Sequence, residues 1–437
     1  MSVAELGYGA FSAAIHKQAR ARRLPVNATI EVTHRCPLAC SHCYNNAPVG
    51  DAEARSRELS TDELRRVIDE IADAGGLWLL FTGGEIFARA DFLDIYTHAK
   101  RRGFFVTLFT NGTQITPKIA DYLKEWPPFS IEITLYGRTR ETYERLTRVP
   151  GSFDRCMRGI ELLRERGLPL KLKSVAVTVN RHEIPDMERF ARELGLEFKF
   201  DGMINARIDC SGSPLAVRLS PAEMVEIDVA DPVRAAEWAR LVRVRADAPP
   251  VAPSEQVYHC GGGISAFSVD PEGKMNICVL SRQDSYDLRA GSFEVGWRDF
   301  LAKVRAKPTK RLTKCNACQI RELCSTCAAT AELEHGDAET PVDYFCEVAH
   351  LRAHAVGVTP PAHGDCAFCA GGSEHGRLLA QAEAIRKGAP VARRRSLDVV
   401  GQDGAPAPSG CGGGCASCGP GEDPATNDLQ VRAEGDR

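Results

Sequence analysis

The chain has 437 residues, 43% of them hydrophobic, enough for a substantial core spread over two or three domains. A formal net charge of -3 provides no broad basic field for nucleic acid or anionic membrane, and no apolar run approaches the roughly 20 residues that span a bilayer. The stretch MSVAELGYGAFSAAIHKQARARR places its basic residues after its apolar ones and lacks the usual cleavage site, so a cytoplasmic location is expected.

After an N-terminal extension (1–25), strand and helix patterns alternate over residues 26–201. VNATIEVT (26–33) reads as a strand, and STDELRRVIDEIADAGG (60–76) as a helix. In that helix Ser60 and Glu63 match a capping box, Leu64, Val67, Ile68 and Ile71 form one apolar stripe, and Gly75-Gly76 end it. Strands follow at 77–82, 104–110, 130–136, 170–179 and 197–200, with helices at 92–102, 117–125, 153–166 and 185–194. Six strand–helix alternations predict a parallel sheet with helices outside it, an open doubly wound sheet or a barrel, with chemistry at the carboxyl ends of the strands. Residues 202–256 read as a connector. Residues 257–350 hold seven cysteines and little periodicity, which predicts a small domain organised around metals. From 351 to 437 the Gly- and Pro-rich composition predicts a largely disordered tail with one helix at 375–387.

Seventeen cysteines in a reducing compartment point to metal or iron–sulfur ligation rather than disulfides. Only Cys156 and Cys210 stand apart from clusters, and they read as small buried apolar residues. Cys36, Cys40 and Cys43, spaced C-x3-C-x2-C, lie just beyond the first strand. Zinc there requires a fourth ligand, for which His34 and His42 are available. A [4Fe–4S] cluster held by three thiolates leaves one iron for a substrate or cofactor, which is the better account of an odd thiol count at an active-site position.

This cysteine loop, placed after the first strand of a six-fold β/α alternation, resembles the radical S-adenosylmethionine (radical SAM) superfamily. The resemblance implies an α/β fold, a partial (β/α)6 TIM-like barrel, and a [4Fe–4S] cluster on Cys36, Cys40 and Cys43 whose remaining iron chelates SAM. TGGEI (82–86) is similar to the family's GGE segment, which places Gly83, Gly84 and Glu85 at the methionyl amine; Ile86 stands where the family often has proline. FTNGT (109–113) and EITLYG (132–137) put Asn111 and Thr134 where relatives face the SAM ribose and carboxylate. By the same resemblance Arg145 pairs with the SAM carboxylate and His42 lies near adenine. The implied chemistry is reductive cleavage of SAM to methionine and a 5′-deoxyadenosyl radical, which abstracts hydrogen from a C–H bond. A flavodoxin- or ferredoxin-type electron donor is implied with it.

The later cysteines resemble the SPASM extension of radical SAM enzymes, which carries two auxiliary [4Fe–4S] clusters. That pattern assigns Cys315, Cys318, Cys324 and Cys346 to an outer cluster, and Cys260, Cys278 and Cys327 to an inner one. Two residues separate Cys324 from Cys327, where the family usually has three, and this puts the ligand at Cys327 in doubt. The inner set is completed by another residue, with Cys210 a candidate, or keeps an open iron. On spacing alone a two-zinc ribbon is the alternative. Cys366, Cys369, Cys411, Cys415 and Cys418 suggest metal capture, cluster delivery, a substrate-like segment or a plain reduced tail.

The motif set most resembles peptide maturases that crosslink a ribosomally made peptide. About 25 residues precede the first strand, too few for a winged-helix leader-binding module, so leader recognition is expected to use a separate protein or another surface. The alternatives are sulfatase maturation, tetrapyrrole tailoring or a non-catalytic iron–sulfur carrier. Val279, where sulfatase maturases usually carry an acidic residue, weighs against the first. The GGE segment weighs against the last.

Overall fold

The computed structural model describes residues 7–249, 253 and 255–394. Strands β1 (Asn27–Glu31), β2 (Trp78–Thr82), β3 (Phe105–Thr110), β4 (Ser130–Thr134), β5 (Leu170–Val175) and β6 (Phe198–Asp201) neighbour one another in sequence order. Every adjacent pair is parallel, with Ala28 opposite Leu79, Leu108 opposite Ile131 and Leu172 opposite Phe198, so all six carboxyl ends lie on one side. β1 and β6 do not pair, which leaves the barrel open.

Local signals set the helices. α1 (Tyr8–Arg22) precedes the sheet. α2 (Thr61–Asp73) begins with the Ser60/Glu63 capping box and buries Leu64, Val67, Ile68 and Ile71. α3 (Phe92–Arg101) and α4 (Pro117–Glu125) follow, α4 opened by Thr116 and a proline in its first turn. α5 (Arg140–Thr147) is a helix the sequence reading does not place; its stripe is short, but Thr139 caps it and Tyr143 and Leu146 are buried. α6 (Ser152–Glu165) and α7 (Ile184–Glu193) complete the layer. β5 ends at Val175 rather than at 179, because Asn180 turns the chain by accepting the Val177 N–H at 2.9 Å and donating to the Tyr136 carbonyl at 2.9 Å.

The cysteine-rich region shares the barrel's sheet. β7 (Ala266–Val269) runs parallel to β1 on its free side, and β8 (Lys274–Asn276) and β9 (Ser285–Asp287) extend it antiparallel, giving one sheet of nine strands. One core holds Ile30 and Phe81 of the barrel together with Phe267, Met275, Phe293 and Leu378. α8 (Pro221–Ala230) and α9 (Pro232–Ala246) form the connector, and α10 (Ala328–His335) and α11 (Asp343–Ala355) follow the hairpin.

Ordered structure extends well past residue 351. α11 runs through that point, and α12 (His375–Arg386) buries Leu378, Ala382 and Ile385. Cys366, Phe368 and Cys369 are buried as well, so scattered apolar and thiol groups hold a stretch whose composition reads as disordered. Cys411, Cys415 and Cys418 lie outside the described residues. No helix among the described residues is long and apolar enough to cross a membrane.

Candidate active site and cysteine centres

Past β1 the chain enters the cysteine loop, which is pinned to the end of α5: Ala39 N–H donates to the Thr147 carbonyl at 3.0 Å and Ser41 N–H to Leu146 at 3.1 Å. Cys36 is buried, and Cys40 and Cys43 are half-buried. Burial, reinforced by the Glu85 charge, pushes the Cys36 thiol up to about 12. Burial also raises Cys40 and Cys43; Cys43 opposes ionisation of Cys36 and Cys40, and Cys36 that of Cys40. Such a set ionises together only when a cationic centre binds it, so the donors fit an iron–sulfur cluster. Burial lowers His42 to about 4 and keeps the ring neutral, while its Nδ1 and the Ser41 Oγ have no hydrogen-bond partner among the described residues. Unsatisfied buried polar atoms beside three thiols suit a further bound polar group.

The glycines of TGGEI let two of the chain's own segments approach closely. Gly83 has φ +128°, and a Cβ there would collide with the Thr33 carbonyl; one at Gly84 would collide with the Arg35 and His34 carbonyls. The close approach is therefore between the chain's own strand ends, sealed by Gly84 N–H to Thr33 O (2.7 Å) and Glu85 N–H to Arg35 O (3.0 Å). Glu85 is fully buried and turned toward the end of β3. It accepts from Thr110 Oγ1 at 2.7 Å, Asn111 N–H at 2.8 Å and Phe87 N–H at 3.2 Å. Burial outweighs these bonds and raises it to about 7. Asn111 in turn donates its amide to Cys36 Sγ at 3.5 Å. Glu85, Asn111 and Cys36 therefore form one connected group.

Thr134 closes β4 half-buried, opposite Lys173. Arg145 lies on the exposed side of α5. Two residues beyond Thr134, Tyr136 packs its ring 5.3 Å from His42 and hydrogen-bonds to Cys40. This tyrosine lies in EITLYG, where no local signal marks it. Glu31 is equally unmarked, yet it is fully buried and accepts from Asn45 Nδ2 at 2.7 Å, Tyr44 OH at 3.3 Å and Arg282. Arg207 donates to the Cys43 carbonyl at 3.1 Å from beyond β6.

Strand alternation buries Leu108, Ile131, Ile133 and Leu172 in the core and turns Phe109, Glu132, Lys173 and Lys199 to the opposite, concave face. Lys199 Nζ lies 2.9 Å and Lys173 Nζ 3.7 Å from a Glu132 oxygen. Lys173 also sits over the Phe109 ring, and burial pulls it down to about 7. No local motif marks this group. It exists only because the strands align in this register.

The later cysteines gather in sets. Cys278 is within electrostatic reach of Cys260 and Cys327, both of which are exposed. Cys315 and Cys324 both hydrogen-bond to Cys346. Cys318 hydrogen-bonds to His363 beside a cavity of about 80 Å³ that Cys315, Cys324 and Cys346 also line. Despite the short spacing, Cys324 and Cys327 face different sets, because Cys327 begins α10. Cys156 is fully buried, as expected. Cys210 sits on the Arg207–Ser211 turn, where Ile208 N–H donates to the Tyr44 carbonyl at 3.0 Å, placing that turn against the first cysteine loop.

Residues 30–192 match the Radical SAM superfamily. An AdoMet-dependent heme synthase of Methanosarcina barkeri is 27% identical over 330 residues, covering 70% of this chain and 92% of that protein. A PqqA peptide cyclase of Rhodopseudomonas palustris is 28% identical over 341 residues, covering 75% and 88%. The fold is similar to that of Streptococcus suis SuiB bound to precursor peptide SuiA, with TM-score 0.59, 15% identity, and 79% of this chain and 84% of that one covered. It is also similar to anSMEcpe with bound AdoMet, with TM-score 0.56, 14% identity, and 83% and 100% covered. With a three-thiol loop at the carboxyl edge of an open parallel barrel, residues 30–192 of the chain form a radical SAM domain, and further cysteine sets lie beyond it.

Proposed function

We propose that Cys36, Cys40 and Cys43 hold the SAM-binding [4Fe–4S] cluster, within a catalytic core spanning 26–201. When bound, cluster and SAM supply one-electron cleavage of the sulfonium and a radical able to take hydrogen from a C–H bond. The surrounding side chains set that centre's environment. Asn111 donates to Cys36, Tyr136 donates to Cys40, and the Asn45 and Asn46 N–H groups reach Cys43. Donors to ligand sulfur stabilise the more negative state and raise a cluster's potential. Gly83, Gly84 and Glu85 position the Asn111 turn and present backbone to the methionyl end of SAM, with Thr134 and Arg145 facing its carboxylate side. Cys260, Cys278 and Cys327 form the inner auxiliary set, and Cys315, Cys318, Cys324 and Cys346 the outer one.

For the substrate we propose a peptide, held along the concave face and crosslinked after hydrogen abstraction. The observation that carries this reading is the charged row Glu132, Lys173 and Lys199 beside Thr134, a surface suited to the carboxylates and amides of an extended chain. The similarity to PqqA peptide cyclases over three-quarters of the chain supports it. Similarity to heme synthases over nearly their full length favours a second reading, in which the same lysines hold tetrapyrrole carboxylates. A small electron-transfer protein of the flavodoxin or ferredoxin class would reduce the enzyme, and a separate protein would present the leader of the peptide.

Anaerobic co-expression with peptides encoded beside the gene tests the reading. Mass spectrometry is expected to show loss of two hydrogens, and Lys173→Met to raise KM more than it lowers kcat. Loss of carbon dioxide from an iron porphyrin, with every peptide unchanged, would establish the second reading instead. Failure to cleave SAM at all would leave an electron carrier.

A further inference from the structure

One group of potential ligands belongs to neither the SAM site nor the two auxiliary sets. His350 lies on α11, and His363, Cys366 and Cys369 lie on the turn that follows it. All four are buried, and their ligand atoms lie within 4.8 Å of one another. His350 Nε2 is 3.3 Å from Cys369 Sγ and 3.7 Å from Cys366 Sγ, and His363 Nδ1 is 3.4 Å from Cys369 Sγ.

These separations select a mononuclear centre. Zn–S and Zn–N bonds of about 2.3 Å and 2.0–2.1 Å at tetrahedral angles place sulfur and nitrogen ligands about 3.5 Å apart. A cubane cluster holds its ligands farther apart, one on each iron corner, and does not fit four donors this close. The tautomer of His350 agrees with a metal site. Its Nδ1–H donates to the Cys346 carbonyl at 2.7 Å, which leaves the Nε2 lone pair directed at the two thiols. A backbone carbonyl bound to the far nitrogen is the usual support of a metal-bound imidazole. The chain order, His-x2-Cys-x2-Cys with a histidine from a neighbouring helix, supplies the two knuckles of a closed structural site.

We propose that His350, His363, Cys366 and Cys369 bind one structural Zn2+ ion. With four protein ligands and no open position, the site performs no chemistry on substrate. Its work is to fasten the 361–372 turn, and through it α12, onto α11. That helix also carries Cys346, one turn before His350, so the ion would fix the position of a residue in the outer cysteine set. His363 extends the link, since it hydrogen-bonds to Cys318 as well. Metal binding of this kind supplies folding free energy where a short, Gly- and Pro-rich segment has little apolar surface to bury.

The test is elemental analysis and Zn K-edge absorption on the full chain, purified anaerobically and reconstituted with iron and sulfide. The expected result is about one zinc per chain with two sulfur and two nitrogen neighbours at about 2.3 Å and 2.0 Å. In the Cys366→Ser/Cys369→Ser double variant, zinc should fall at least tenfold while iron content and SAM cleavage persist. Wild-type protein with less than a tenth of a zinc per chain, or with zinc in any other ligand set, would overturn the proposal without recourse to a variant. So would a folded double variant that loses iron in place of zinc, assigning these cysteines to a cluster. If the double variant does not fold, the wild-type absorption spectrum decides alone.

Discussion

Tyr136 supplies the cysteine loop with two things at once: a ring against His42 and a hydroxyl on Cys40. Tyr136→Phe separates them. The ring stays, the donor goes, and the cluster is expected to be retained with a more negative midpoint potential in electrochemical titration, because a thiolate without its hydrogen bond disfavours the added electron. Cys36→Ala removes a ligand outright; iron should fall by about four per chain, and SAM cleavage to background. Glu85 has a subtler role. Held at about 7 by burial, it binds the Thr110 hydroxyl and the Asn111 N–H together, so it acts on Cys36 through Asn111 as well as through its own charge.

Among the elements, α6 fits closely against the site. A Cβ on Gly159 would run into the Gly112 carbonyl and sit 3.3 Å from Ile115 Cβ, so the helix rests directly on the turn that carries Asn111. In an exposed helix Gly→Ala would add about 1 kcal/mol of stability through propensity. Here overpacking against backbone, which cannot swing away as a side chain can, costs about 3 kcal/mol and wins. Gly159→Ala is therefore expected to lower the denaturation midpoint and, by displacing Asn111, to loosen iron retention measured after gel filtration. A midpoint at or above wild type would show that the turn yields without cost.

Across the whole molecule, barrel and cysteine-rich region are joined by charge as well as by the shared sheet. Glu31 at the end of β1 pairs with Arg282 beyond β8, and Arg282 also reaches Asp270 at 3.1 Å. Burial alone would raise Glu31, but Arg282 and His34 outweigh it and hold the carboxyl at about 2, below the ordinary 4.5. A depressed acid stabilises the fold while it is ionised. Its contribution, about 3 kcal/mol by linkage, is complete above pH 4.5 and lost as pH falls toward 2. Denaturant unfolding should show the wild-type advantage over Glu31→Gln present at pH 6 and reduced to about a quarter at pH 2.5. A pH-independent difference would mean that packing, not charge, holds the two parts together.

The amino-acid sequence by itself determined what depends on neighbours a few residues apart. The C-x3-C-x2-C loop, the Ser60/Glu63 cap, the apolar stripe of α2 and the alternation of strand and helix all lie within single local windows. Tertiary structure alone decided the rest. Glu31 meets a partner 251 positions away, and β1 pairs with β7 across most of the chain. His350 faces thiols that composition assigns to a disordered tail. TGGEI shows both halves at once: its glycines are visible in the sequence, but only the fold reveals that they accommodate a neighbouring strand end. Periodicity and capping are short-range steric effects, legible along the chain. Charge pairing and metal geometry depend on distances through space, which no stretch of residues encodes on its own.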